Sequence, residues 1–413
     1  MGSSSSSLIE SLESRVLLVG IPQYPDLAPW ASQQRGYIYG WSIDTQQTPG
    51  RTLLRLSNAA INMGAGPMEL NGGAVNPDGS QQVYQRVYAS DGSSKKFLAG
   101  NFIYHAQHSH VHFNDFTDYN LRAVTSADAT GEPGAGTLAA TSEKVSFCLL
   151  DSVSYDLSLP GAPLSAQNVT CSNVKQGISV GWADLYDKTL FGQWIDITDV
   201  PSGRYWLEVV IDPLNRIAES NEMNNTARIM IDVHQGDNTL GGAFDVGTLG
   251  GGGAAGTQTF HEFVGTMDAV DYYKFTVSSG GTVNLNMNEL RANADLALLD
   301  GSGATLATSS RTGTNGESIS RVLAPGTYYV RSNFVSGDGT YTLGMSFTLT
   351  AGAGDDGVTN SDGGGAAQDG SPTTLPPRTG HGLGGGWNPN GNDHQQSAAS
   401  ELFDDEAETA LPP

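Results

Sequence analysis

Apolar residues recur along this chain at a spacing of two, in short runs closed off by glycine, serine and asparagine. Residues 272–277 (YYKFTV), 294–299 (ADLALL) and 326–331 (GTYYVR) are of this kind. Alternation at period two puts successive side chains on opposite faces, the signature of a half-buried strand. Several such runs between residues 237 and 349 predict an all-β sandwich. Residues 51–56 (RTLLRL), 193–197 (QWIDI) and 205–211 (YWLEVVI) are strand-like too. Helix-period stretches are nearly absent from residues 21–236, so that region is read as mostly β as well. The glycine run at 247–256 is read as a long loop within the second region. No Lys-Ser/Thr or helix follows it, which argues against a phosphate cradle.

Composition narrows the function classes. The 413 residues suffice for two domains plus tails. The 53 glycines and only 15% charged residues argue against a coiled coil or a long-helix protein. A formal net charge of −23 argues against nucleic acid as a partner, since phosphate binding needs a cationic surface. No apolar run reaches the roughly 18 residues of a membrane span, so no transmembrane segment is expected. The charge is uneven. Residues 350–413 hold ten acids against one base, Arg378, with few apolar residues, and are read as a disordered acidic tail. An arm that recruits a basic partner is the functional alternative. The other regions carry −9 (residues 1–236) and −5 (residues 237–349). Such a field suits a cationic ligand, and added salt should weaken it.

Cys148 and Cys171 are the only cysteines, and neither belongs to a CxxC pair, which excludes a zinc ribbon or a thioredoxin-like site. One disulfide closing a short loop is the plain alternative, worth roughly 3 kcal/mol and calling for an oxidising compartment. Residues 1–20 lack the basic and apolar regions of an ordinary signal peptide.

Four of the eight histidines fall between His105 and His112. On a strand, His108, His110 and His112 point to one side, with Ser109 and Val111 on the other. Successive members stand about 7 Å apart at Cα, so a modest kink lets three imidazoles converge on one ion. Imidazole without thiolate suits copper, zinc or nickel, and copper is favoured where it is available. A solvated, histidine-rich strand face is the plain alternative. His105 has the opposite parity and is the weaker ligand candidate.

Several blocks carry resemblances. Residues 11–18 (SLESRVLL) resemble the LEPR-xLL segment that opens many exported proteins of environmental bacteria, which implies an extracellular or cell-envelope location. The order DAVDYYKFTV, NADLALLD, LAPGTYYVRS and YTLGMSF resembles the pre-peptidase C-terminal domain, an accessory β-sandwich of secreted bacterial enzymes. In the first region, His108-x-His110-x-His112 is followed by Phe116-x-x-Tyr119-x-Leu121 and Lys144-x-Ser146-Phe147-Cys148. Residues 182–186 (WADLY) and 193–200 (QWIDITDV) come next. From about Pro25 to His234 this set resembles the catalytic domain of the lysyl oxidase family.

That resemblance implies an all-β chain. A segment at 1–20 precedes a lysyl oxidase-type β-sandwich catalytic domain at 21–236. A smaller, jelly-roll-like β-sandwich at 237–349 and the tail at 350–413 follow. It also implies Cu2+ on His108, His110 and His112, and a lysine tyrosylquinone cofactor made from Lys144 and Tyr186 with O2. In the family the quinone condenses with a primary amine, here peptidyl lysine or a small amine, and yields an aldehyde, ammonia and hydrogen peroxide. The Lys144 amine must be neutral to join the ring, which burial near a metal promotes. Taken singly, Lys144 reads as a surface lysine and Tyr186 as a core or loop tyrosine.

Asp118 is the candidate general base, with Asp115 beside it; the family often has histidine near position 118. A Ca2+ site is implied on Asp26, Leu27, Glu219, Asn221, Asn224 and Asn225, all hard oxygen donors. Asn221 replaces the usual acid there, and an Asx-rich turn is the plain alternative. Gln107 stands where the animal enzymes carry cysteine, so Cys148 and Cys171 are expected to pair with each other. Two rivals stay open: a non-catalytic metal-binding extracellular or envelope protein on the same fold, and a three-histidine zinc hydrolase.

Overall fold

A computed structural model describes residues 20–30, 40–106, 109–125, 133–250 and 256–349. The chain is nearly all β: the described residues form 26 strands, one 3-10 turn (Leu240–Gly242) and no α-helix. No described helix is long and apolar enough to cross a membrane. The amino-terminal motif and the acidic tail lie outside the described residues.

The second region shows how strict alternation makes a layer. Val270–Val277 turns Asp271, Tyr273, Phe275 and Val277 inward and the residues between them outward. Gly281–Asn288 and Gly339–Leu349 do the same with Val283, Leu285 and Met287, and with Tyr341, Leu343, Met345 and Phe347. One sheet runs in the order Phe244–Leu249, Val270–Val277, Gly326–Ser336, Asn293–Asp300, Thr305–Ser309. The other runs Thr257–Val264, Gly339–Leu349, Gly281–Asn288, Glu317–Leu323. Their inward residues share one apolar core, so the two sheets form a sandwich. The Tyr273 and Tyr341 hydroxyls meet within it at 2.6 Å, and Tyr341 donates to Asp271 Oδ2 at 2.5 Å. The glycine run is no simple loop. Gly247 lies inside Phe244–Leu249, at a register shift against Val270–Val277, and residues 251–255 lie outside the described residues.

The first region uses mostly shorter strands in four sheets, Ser94–His105 with 12 residues being the exception. The largest runs Lys175–Ile178, Met68–Val75, Gln81–Ala89, Ser94–His105, His110–Phe113, with Pro22–Gln23 paired to Gln81–Ala89. A second runs Thr137–Thr141, Thr117–Ala123, Gly203–Ile211, Thr226–Val233. A third runs Val153–Ser154, Trp182–Tyr186, Asn58–Asn62, Leu27–Pro29. Trp194–Asp196, Leu53–Arg55 and Ser42–Asp44 make a small fourth. Phe102, Leu121, Ala60 and Ile195, one from each sheet, join a single core. The segment around Phe147 ties the sheets together. Phe113 and Phe147 exchange backbone hydrogen bonds of 2.7 and 3.0 Å, and Phe116 N donates to Val145 O at 2.9 Å.

Two further links hold the molecule. Cys148 and Cys171 form a disulfide, 23 residues apart in sequence, as expected. Phe263 of the second region is 1% exposed and joins the first region's core, with its ring 6.0 Å from that of Trp41.

Candidate functional site

The histidines sit on a hairpin, which alters how their parity must be counted. Ser94–His105 pairs antiparallel with His110–Phe113, with His105 opposite His110 and Ile103 opposite His112. Ser109, with φ 55°, turns the chain into the second strand. Strict alternation therefore covers His110 and His112 alone, and His108 lies outside the described residues. Because the chain reverses, His105 shares the face of His110 and His112, against the parity assigned from sequence. Its ring stacks on that of His112 at 4.3 Å.

His110 Nε2 and His112 Nε2 face each other at 2.9 Å, with His112 4% exposed. That separation suits two ligands each about 2.0 Å from one ion, so the donor set fits a borderline metal such as copper or zinc. Ser146 Oγ lies 3.0 Å from His105 Nε2 and 3.5 Å from His112 Nδ1. The sulfurs of Cys148 and Cys171 lie within 4.8 Å of a His110 ring nitrogen, but as a disulfide they are not thiolate ligands.

Lys144 and Tyr186, 42 residues apart in sequence, come together beside this hairpin. Tyr186 ends the strand Trp182–Tyr186, and its ring meets that of Phe147 edge-on at 4.7 Å. Its hydroxyl donates to Cys148 O. Lys144 Nζ stands 5.1 Å from the Tyr186 ring centroid and donates to Phe191 O at 3.2 Å. Glycine at position 192, with φ +81°, makes room for this lysine: a Cβ there would come within 2.9 Å of Lys144 Cδ. Burial, with the Asp184 charge nearby, pushes the Tyr186 phenol well above its usual value.

Beneath the tyrosine lies a buried polar group. Tyr119 OH is 3.1 Å from Gln193 Nε2, which also reaches toward Tyr186 O at 3.5 Å. Asp184 is 3% exposed, and its Oδ2 has no hydrogen-bond partner among the described residues. Burial raises its carboxyl well above the usual carboxylate range. Asp118 is placed elsewhere. It is half-buried on the opposite face of its strand from Tyr119, and burial and the Asp115 charge raise its carboxyl. Asp115 is paired with Arg216 at 3.0 Å.

A third cluster is built from oxygens. Glu219 accepts from Leu27 N at 2.5 Å and from Asn225 Nδ2 at 2.9 Å, while Asn224 Nδ2 donates to Asp26 Oδ1 at 2.7 Å. Burial pushes Glu219 up to about 8. Asn224 Oδ1 and Asn225 Oδ1 are buried without a hydrogen-bond partner, so their acceptor capacity fits a hard cation. Asn221 is occupied differently, its Oδ1 accepting from Met223 N at 3.1 Å. Carboxylate oxygens of Asp212 and Glu222 lie within 4.8 Å of Glu219, two members that sequence spacing had not supplied.

Residues 90–240 match the family model for lysyl oxidase, and residues 269–331 match that for the bacterial pre-peptidase C-terminal domain. The first of these stretches is similar to the lysyl oxidase family. The lysyl oxidase homolog 3A of Danio rerio is 38% identical over 130 residues, 31% of this chain and 15% of that protein. Lysyl oxidase homolog 3 of Homo sapiens is 37% identical over 131 residues, again 31% and 15%. The match thus spans about 15% of the length of these relatives. Among solved structures, the pre-peptidase C-terminal domain of a collagenase from Bacillus anthracis aligns with 24% of this chain and 91% of its own. The identity is 24% and the TM-score 0.21.

The residues matched by the lysyl oxidase model therefore include the histidine hairpin, Lys144 and Tyr186, while Asp26 and Leu27 precede them. Of the residues that sequence reasoning passed over, Asp184 had a readable signal. It lies two positions before Tyr186 on one strand and so shares its face. Asp212 had none, because it is placed by the turn after Gly203–Ile211.

Proposed function

We propose that residues 21–236 are a copper-dependent amine oxidase of the lysyl oxidase type. Residues 237–349 would serve as its accessory sandwich, between an amino-terminal segment at 1–20 and the tail at 350–413. The observation that carries this reading is Lys144 Nζ at 5.1 Å over the Tyr186 ring, beside a pair of facing histidine nitrogens. Neither a zinc hydrolase nor a passive metal-binding protein calls for a lysine above a tyrosine ring.

Copper would be held by His108, His110 and His112, and Ca2+ by Asp26, Leu27, Glu219, Asn224 and Asn225, with Asn221 closing the turn. Lysine tyrosylquinone from Lys144 and Tyr186, once formed with O2, supplies the electrophile and electron sink that oxidise a primary amine to an aldehyde, with ammonia and hydrogen peroxide released. This chain's residues supply position. Cys148 O fixes the Tyr186 hydroxyl, Phe147 walls one side of its ring, and Phe191 O holds the Lys144 ammonium over it. Asp118 is the base expected from sequence, and Asp184 is a buried carboxyl on the same strand face as Tyr186. The substrate class is a primary amine, protein lysine included, drawn in by the net negative charge. The disulfide suits an oxidising compartment, so the location proposed is extracellular or envelope, in a bacterium.

Copper-loaded protein should yield a Lys144–Tyr186 cross-linked peptide by mass spectrometry and release peroxide from a panel of amines. Tyr186→Phe should abolish both. Copper-loaded protein without the cross-link overturns the proposal.

A further inference from the structure

Ser146 joins the two halves of the site. It is 6% exposed and lies between Lys144 and Cys148. Its neighbours Val145 and Phe147 are hydrogen-bonded through the backbone to Phe116 and Phe113, just past the histidines. Its hydroxyl lies 3.0 Å from His105 Nε2 and 3.5 Å from His112 Nδ1.

A hydroxyl has one proton to give and lone pairs to accept with. His112 must keep the Nε2 lone pair free of a proton if that atom is to bind a metal opposite His110 Nε2. Its proton then sits on Nδ1 and is donated to Ser146 Oγ. The Ser146 proton is left to donate to His105 Nε2, which accepts, so the His105 ring carries its proton on Nδ1. One serine thereby fixes two ring tautomers and orients a ligand, the role that partners of metal-bound imidazoles play.

We infer that Ser146 is a positioning residue for the histidine metal centre, orienting His112 through its Nδ1 and tying that centre to the irregular segment that bears Lys144. This rests on the reading of His110 and His112 as metal ligands. The Ser146 hydroxyl touches neither the amine nor Tyr186, so its effect is exerted through His112.

The test is Cu(II) binding to the full chain, measured by chelator competition and by electron paramagnetic resonance. Ser146→Ala should weaken Cu(II) roughly 10–100-fold and alter the copper hyperfine splitting. Ser146→Thr, which keeps the hydroxyl, should restore both. Nitrogen-15 NMR of the unmodified protein gives a readout that needs no variant: His112 should be protonated at Nδ1 and His105 unprotonated at Nε2. Wild-type affinity and spectrum in Ser146→Ala, or the opposite His112 tautomer, overturn the inference and leave the proposed function standing. If the unmodified chain binds Cu(II) no more tightly than a His110→Ala variant, both fall together.

Discussion

The two β regions of this molecule use backbone regularity in opposite ways. In the second, strands of up to 11 residues alternate with few interruptions and enclose one apolar layer. In the first, many strands have only two to five residues, and the chain keeps turning. The five described non-glycine residues with positive φ divide unevenly: Ser109, Asp115, Asp212 and Asn215 lie in the first region and only Glu289 in the second. Ser109 aims His110 into the hairpin, and Asp212 lies against Glu219. Irregular backbone is costly, and it persists where surrounding contacts over-determine it, as they do around sites. Long regular strands make a stable layer, whereas short ones bring side chains from distant positions to one point.

If the regions were independent, a core deletion in one would leave the other alone. Phe263 breaks that separation, since it belongs to the second region's strand Thr257–Val264 and is buried in the first region's core. Phe263→Ala should cost about 3–5 kcal/mol. The loss should appear in the first region's unfolding, followed by hydrogen exchange at Phe102 and Leu121. If protection there is unchanged while the second region loosens, the two fold as separate units.

A smaller effect sharpens the comparison from the first region's side. The disulfide closes a loop of 23 residues in sequence separation, and its removal by Cys148→Ser with Cys171→Ser should cost about 3 kcal/mol on the loop-entropy account. Cys148 also supplies the carbonyl that holds Tyr186, so the loss should be local. Exchange should rise along residues 145–151 and stay unchanged in Gly281–Asn288. Equal loosening in both places would mean that the bond stabilises the whole chain rather than the site.

The same contrast explains what could be read from the sequence. The second region was legible because period two is all its strands require: runs at 272–277, 294–299 and 326–331 became Val270–Val277, Asn293–Asp300 and Gly326–Ser336. In the first region, Lys144 and Tyr186 were legible only as members of recognisable blocks, since no periodicity relates residues 42 positions apart. Parity misplaced His105, because a hairpin turn resets the count. Asp118 drew attention by lying near the histidines in sequence, but its strand turns it away from the face that Tyr119 shares with Phe147. Asp212 and Glu222 reach the oxygen cluster through turns, whose course depends on tertiary packing and left no pattern to find.

The smallest prediction concerns the second region's own buried acids. Asp237, Asp268 and Asp271 lie with carboxylate oxygens within 4.8 Å of one another, and Glu262 is buried among the same charges. Burial lifts Asp268 to about 6, against a hydrogen bond from Asn238. A carboxyl whose folded value is raised holds its proton more tightly in the native state. Below about pH 4 both states are protonated and its stabilising effect is fully present. As the pH rises toward 6 the unfolded chain ionises first, so stability falls; above 6 the loss is complete. For this one group, the fall between pH 5 and 7 is roughly 1 kcal/mol at the usual 1.36 kcal/mol per unit. Asp268→Asn should therefore flatten the pH dependence of urea unfolding over that window by about that amount. The same window should leave Leu121 exchange in the first region unaffected beyond its coupling through Phe263. A slope over pH 5–7 that persists in Asp268→Asn would assign it to Asp237, which burial and the Asp268 charge raise and which loss of that charge would bring down toward this window.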